Sequence, residues 1–208
     1  DPGEPGAPRA VVKEKETEQV HLTLGGPGLT RGDDRRHAQA VLDSILGGSM
    51  SSRLFQEVRE RRGLCYSVGT YTTGYSDCGQ VGVYVGTRAA NIDESLEVIA
   101  AELRAVAERE VPEDELSRAR ENLKGRLVLG SESTANRMNR LGRSVLGGNE
   151  VLTIDEVIAR VDAVTASDIA ALADEFWRPE RLSLAAITTD GDVVEHAFAR
   201  HMPHLVAA

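Results

Sequence analysis

A chain of 208 residues is long enough to bury about 70% of its unfolded surface in one domain, and its 41% hydrophobic and 27% charged residues are ordinary globular usage that excludes wholesale disorder. The net charge of −9 comes from acids spread along the sequence, which excludes nucleic acid and an anionic membrane as expected partners. No window approaches 18 consecutive apolar residues and no signal-peptide pattern opens the chain.

The first ten residues, DPGEPGAPRA, hold three prolines and two glycines. They read as a linker, so residues 1–14 are expected to be a tail and residues 15–208 the folded domain. The missing initiator methionine suggests a piece of a longer protein. "EQVHLTLGG" has the short β-rich character of a strand. Residues 34–46 then place Ala38, Val41, Leu42, Ile45 and Leu46 at helical spacing, with Gly47-Gly48 as an expected left-handed cap. Ser51 and Ser52 offer N-caps for a second helix whose buried stripe is Leu54, Phe55 and Val58 and whose stop is Gly63.

From Leu64 to Thr87 the pattern turns to alternation. "CYSVGTYTTGY" and "QVGVYVGT", joined by Ser-Asp-Cys-Gly, predict an antiparallel hairpin. Ile92, Leu96, Ile99, Leu103 and Val106 step as a helix whose first turn holds Asp93 and Glu94, where the dipole favours acids. Pro112 opens another helix with Leu116, Ala119, Leu123 and Leu127 inward. Ser133 starts a third, through Met138, Leu141 and Val145 to Gly147-Gly148. Thr153 with Glu156 and Thr165 with Asp168 are capping pairs, the second ahead of Ile169, Leu172 and Phe176. "RLSLAAITT" predicts a last strand, and residues 191–202 a final helix. None of the amphipathic faces looks apolar enough to demand a partner helix. Clustered strands and a run of helices predict an α+β fold, an antiparallel sheet with helices packed on one face.

Cys65 and Cys78 fall at opposite ends of the first hairpin strand, on the order of 30 Å apart at strand rise. Both are expected to be reduced thiols in a cytoplasmic protein. A hydrolytic metal site needs ligands at spacings that share a helix face, and neither HExxH nor HxxEH occurs. "DVVEH", residues 192–196, has Asp192 where the first histidine would stand. His201 and His204 flank Met202-Pro203 and share no regular helix face, while His21 and His37 read as ordinary residues. No metal is expected in this chain. G-x-S-x-G is absent, Cys65 reads as an inert thiol, and "GVYVG" lacks the context of a phosphate loop.

"MSSRLFQEVRERRGLCYSVGTYTTGY", residues 50–75, is less easily dismissed. Arg59, Arg61 and Arg62 suit a helix C-terminus on electrostatic grounds alone, and Glu57 with Arg61 makes an i,i+4 pair. Arg59 in the last turn and Tyr66 opening the next strand can also reach one corner of the sheet. There a guanidinium offers planar donors to peptide carbonyls and a phenol can donate to an oxyanion.

"ILGGSMSSRLFQEVRERRGLCYSV", the hairpin with "YSDCGQVGVYVGT" and the later "ELSRARENLKGRLVLGSES" resemble the carboxy-terminal half of the pitrilysin-type zinc peptidases. The branch most resembled contains mitochondrial processing peptidase and its bacterial relatives, and the resemblance runs from about Lys15 to Thr189. It implies one half of a clamshell, in which an amino-terminal half carries HxxEH, zinc and the general base. It also implies an arginine and a tyrosine seven residues apart, which selects Arg59 for substrate backbone and Tyr66 for both substrate binding and the scissile carbonyl as it becomes an oxyanion. The implied partners are a peptide substrate and the zinc-bearing half, in the same polypeptide or as a separate subunit, and a homodimer is compatible with this. The alternatives are a non-catalytic structural core subunit of the same fold and a peptide-binding module using a sheet edge.

Overall fold

The computed structural model describes residues 7–201. Five strands form one sheet: β1 (Ala10–Glu14), β2 (Val20–Pro27), β3 (Cys65–Gly74), β4 (Gly79–Thr87) and β5 (Ser183–Thr188), in the order β1-β5-β2-β4-β3. Strand β2 pairs antiparallel with both β4 and β5, so Leu22 stands in one row with Val85 and Ala186, and Leu24 in the next with Val83 and Leu184. These rows are buried, because residues two apart on a strand share a face. The opposite face stays open. On it His21 Nδ1 meets the Tyr84 hydroxyl at 2.8 Å, and the Tyr71 ring lies where a Cβ on Gly82 would approach within 2.5 Å.

Helices cover the apolar face: α1 (Arg36–Leu46), α2 (Ile92–Glu108), α3 (Glu113–Ser131), α4 (Thr134–Leu146), α5 (Ile154–Asp162), α6 (Ala166–Phe176) and α7 (Gly191–His201). Leu96, Ile99, Ile169, Leu172, Phe176 and Phe198 are fully buried in this layer, each contributing roughly 1.5–3 kcal/mol by leaving water. Thr153 and Thr165 close capping boxes with Glu156 and Asp168. The α+β class and the helix-covered sheet therefore stand as expected.

Several details differ from the expectation. Residues 10–14, assigned to the tail, form β1, which runs parallel to β5 and makes the sheet mixed. Backbone bonds from Leu184 to Arg9 and from Lys15 to Thr188, at 2.9 and 2.8 Å, hold it there. Residues 1–6 of that tail and residues 202–208, including His204, lie outside the described residues. Gly47 has φ −151°, so the end of α1 is not left-handed. Glycine fits there for another reason: a Cβ on Gly47 would run into the Thr70 amide of β3. Ser52 does not cap the next helix; its hydroxyl is buried and donates to the Ser49 carbonyl at 2.6 Å. Helix α4 buries none of its residues. Met138, Val145 and Leu146 stand exposed on it and Leu129 on α3, with Leu146 at 89% exposure, so this corner does leave an apolar face uncovered.

Candidate functional site

The stretch after α1 leaves regular geometry twice within fifteen residues. Phe55–Arg61 winds as a π-helix, a rare wide turn found frequently at functional sites. Leu54 and Val58 bury it completely on one side. Arg53 fixes its start to α3 through a two-pronged pair with Glu115, at 2.8 and 2.7 Å. It ends where Gly63, at φ +62°, takes the left-handed conformation that a side chain disfavours. The Gly63 amide then donates to the Arg59 carbonyl at 3.0 Å and the Leu64 amide to that of Val58 at 2.9 Å. The Leu64 carbonyl accepts from Thr87 Oγ1 at 2.6 Å and Asn91 Nδ2 at 3.0 Å, which pins the corner.

The second irregularity lies in β3. Cys65 pairs with Thr87 and Ser67 with Gly86, so Tyr66 is the extra residue of a β-bulge, a feature that re-aims side chains. Tyr66 is 75% exposed. The guanidinium carbon of Arg59 sits 5.1 Å from the centre of its ring and 4.7 Å from the centre of Phe55. The two residues singled out from sequence, Arg59 and Tyr66, thus meet at one exposed corner, with Phe55 as the other face of the stack.

The three arginines separate by their partners. Glu57 accepts from both Arg61 and Arg62. Among the described residues Arg59 has only Glu60, at 3.7 Å, which leaves its donors available to a ligand. Cys65, half-buried beside this corner, has its thiol pushed up to about 11 by burial, against the opposing pull of Arg59. Both cysteines are free thiols. Among the described residues no group of three or more His, Cys, Asp or Glu could hold a metal ion, so the residues present do not fit zinc.

A second feature was not anticipated. A cleft of about 930 Å³ opens between α1, α4 and the far end of β3, and Arg31, Arg36, Arg140 and Arg143 line it. Neither Arg59 nor Tyr66 reaches it. Its one advance signal is α4 itself, which carries Arg137, Arg140 and Arg143 and no acid.

The peptidase M16 inactive domain profile matches residues 1–123. The chain belongs to the peptidase M16 inactive-domain family. This M16 domain is 48% identical over 179 residues to an uncharacterized zinc protease of Streptomyces coelicolor, covering 86% of this chain and 39% of that protein. It is 39% identical to the uncharacterized zinc protease YmxG of Bacillus subtilis, covering 88% and 44%. The M16 domain thus spans less than half the length of either relative. Its fold is similar to the crystal structure of a peptidase M16 inactive domain from Pseudomonas fluorescens, with TM-score 0.83 and 21% identity over 91% of this chain and 46% of that one. A chain of complex III2 from Candida albicans shares the fold at TM-score 0.77 and 16% identity, covering 91% and 49%.

Proposed function

We propose that this M16 domain is the carboxy-terminal, non-zinc half of a metallopeptidase that cleaves unfolded peptides, and that Arg59 and Tyr66 hold the peptide at the reacting bond. The observation that carries this reading is the stack of Arg59 on an exposed, bulge-borne Tyr66. The Tyr66 hydroxyl donates to the scissile carbonyl oxygen and holds it more tightly as negative charge develops there, which is how a fixed donor lowers a barrier. Arg59, held between Phe55 and Tyr66, donates to a neighbouring carbonyl of the peptide and fixes its register. Because the two aromatic faces set the guanidinium before the peptide arrives, little side-chain freedom is lost on binding.

The metal belongs, in this reading, to the remaining length of the zinc-protease relatives. When bound there it supplies a polarising charge at the carbonyl. The two halves form a chamber in the cytoplasm, and the exposed side of α4 is a surface one expects to be covered in such an assembly. The reading accommodates the halves as one polypeptide or as two subunits, and a homodimer of the whole.

A structural core subunit is the second reading, favoured by the fold shared with a complex III2 chain. The test is cleavage of unfolded peptides by the full-length protein with Arg59→Ala and Tyr66→Ala introduced. Loss of cleavage with zinc retained is expected. Undiminished cleavage would remove both residues from the reaction, and no cleavage by the parent protein would leave the structural reading in its place.

A further inference from the structure

Many arginines of this acidic chain are matched by acids: Arg35, Arg53, Arg61, Arg62, Arg118 and Arg160 each pair with a carboxylate. The cleft beside α4 instead gathers several unmatched arginines in one lining. Among the described residues Arg31, Arg140 and Arg143 have no carboxylate within ion-pair distance, and Arg36 has only Asp34 at 3.9 Å. Glu150, the acid in the lining, is held by Arg160 at 2.7 Å. The other polar lining includes the amides of Asn136, Asn139 and Asn149. These donate but carry no charge. Like charges gathered in one partly walled space repel, and an anionic occupant reverses the sign of that energy.

The guanidiniums are held in place for such an occupant. Arg31 Nε donates to the Gly74 carbonyl at 3.2 Å and Arg140 Nη1 to that of Leu152 at 2.7 Å. Each bond uses one donor of five and leaves the others to fork onto a carboxylate. Nε2 of His37, in the same lining, is buried without a hydrogen-bond partner.

The cleft has a fixed relation to the corner described above. Thr72, Thr73 and Gly74 line it and end the strand on which Tyr66 lies near the start. Strand β3 is a sheet edge. From Tyr66 to Thr73 is about 24 Å at strand rise, which an extended peptide covers in about seven residues.

We propose that this cleft is a carboxylate subsite for the same peptide. Acidic side chains, or the terminal carboxylate, lying about seven residues from the bond at Tyr66 pair with Arg140, Arg143 and Arg31. This rests on the peptide-binding reading above. A basic helix with exposed apolar residues also suits an anionic lipid surface. These arginines, however, line a walled cleft, and the net charge of −9 opposes approach to such a surface.

The test uses the full-length protein in excess chelator, so that peptides bind without being cut. Fluorescence anisotropy compares labelled unstructured peptides of about sixteen residues, long enough to span both places, that end in a run of glutamates or of glutamines. The glutamate peptide is expected to bind about tenfold tighter, an advantage that falls with added salt. Arg140→Ser with Arg143→Ser should abolish it. Arg143→Glu, which removes no hydrogen bond of the protein, should invert it even where the double variant folds poorly.

Equal binding of the two peptides by the parent protein overturns the subsite and leaves the proposed function standing. So does a glutamate advantage that survives both variants. Displacement of the glutamate peptide by inorganic phosphate alone makes the cleft a site for free anions, and phosphatidylserine vesicles captured by the parent but not by Arg143→Glu make it a lipid site; either result overturns the assignment to peptide. If the glutamate advantage holds but cleavage without chelator ignores Tyr66→Phe, the catalytic reading fails and the subsite stands. Binding of neither peptide sinks both.

Discussion

Arg59 lies between two aromatic rings, and the outer one, Tyr66, is itself displaced from its strand by a bulge. The arginine comes from the end of the π-helix and the tyrosine from the bulge, so each irregular segment supplies one partner of the contact.

Tyr66→Phe separates the hydroxyl from the ring. The ring still carries Arg59, so substrate binding and stability are expected to stay close to parent values. Turnover of unfolded peptides by the full-length protein should fall by roughly 10²–10³, the usual cost of losing one oxyanion donor. Steady-state kinetics checks this, and a rise in KM at unchanged kcat would give the hydroxyl a binding role instead.

Phe55 is a positioning residue for Arg59. Phe55→Leu keeps most of the apolar volume and removes one face of the stack, at about 0.5–1 kcal/mol for an exposed cation–π contact. The expected result is a KM raised severalfold with kcat little changed, while Phe55→Tyr restores the parent value. A plain packing role would show as a lower melting temperature with KM unmoved.

Asp43 on α1 accepts a hydrogen bond from Thr70 Oγ1 of β3 at 2.5 Å, and burial, only partly offset by that bond, holds its carboxyl above the ordinary carboxylate range. A folded-state value above the unfolded one means that folding favours the protonated acid. Its contribution is fullest below the unfolded pKa of about 4 and is lost as pH rises through the folded value. Asp43→Asn keeps an acceptor for Thr70 and removes the titration, so its stability relative to the parent should improve from about pH 4 to pH 7. Urea midpoints at the two pH values measure this; a gap that stays constant would mean that Asp43 titrates normally.

Gly47→Ala should cost about 1–3 kcal/mol, the usual range for forcing a methyl into a filled space, because its Cβ meets the Thr70 backbone. At Gly63 a Cβ meets nothing within 4 Å but the backbone is left-handed. Gly63→Ala should therefore cost about 1–2 kcal/mol from conformation alone, and Gly63→Asn less. Chemical denaturation of the three variants distinguishes crowding from backbone strain.

What could be read in the sequence was mostly local. Helices α2, α5 and α6 follow from apolar spacing and caps, which the chain writes within a dozen residues. The hairpin follows from alternation around Ser-Asp-Cys-Gly. Strand β1 was missed because AVVKE is short, partly charged and follows a proline-rich run, and only its pairing with a strand more than 170 residues later makes it a strand. Met138, Leu141 and Val145 on α4 have the spacing of a core helix, yet the body of the domain offers them no matching face. That Arg59 and Tyr66 could share a corner was legible from the helix end and the strand start, and family resemblance selected that pair over Arg61 and Arg62; a spacing of seven does not disclose a π-helix or a bulge. The arginine cleft was hidden because its lining comes from segments over a hundred residues apart.

Strand β5 sits between β1 and β2 although it comes last in sequence among the five described strands. During synthesis β1 is made before its partner and cannot join the sheet until residues 183–188 follow, so the sheet cannot close before this strand has been added. A nascent chain stalled short of that point would carry Leu22 and Leu24 on an unfinished edge, in a form that invites chaperones, proteolysis or aggregation.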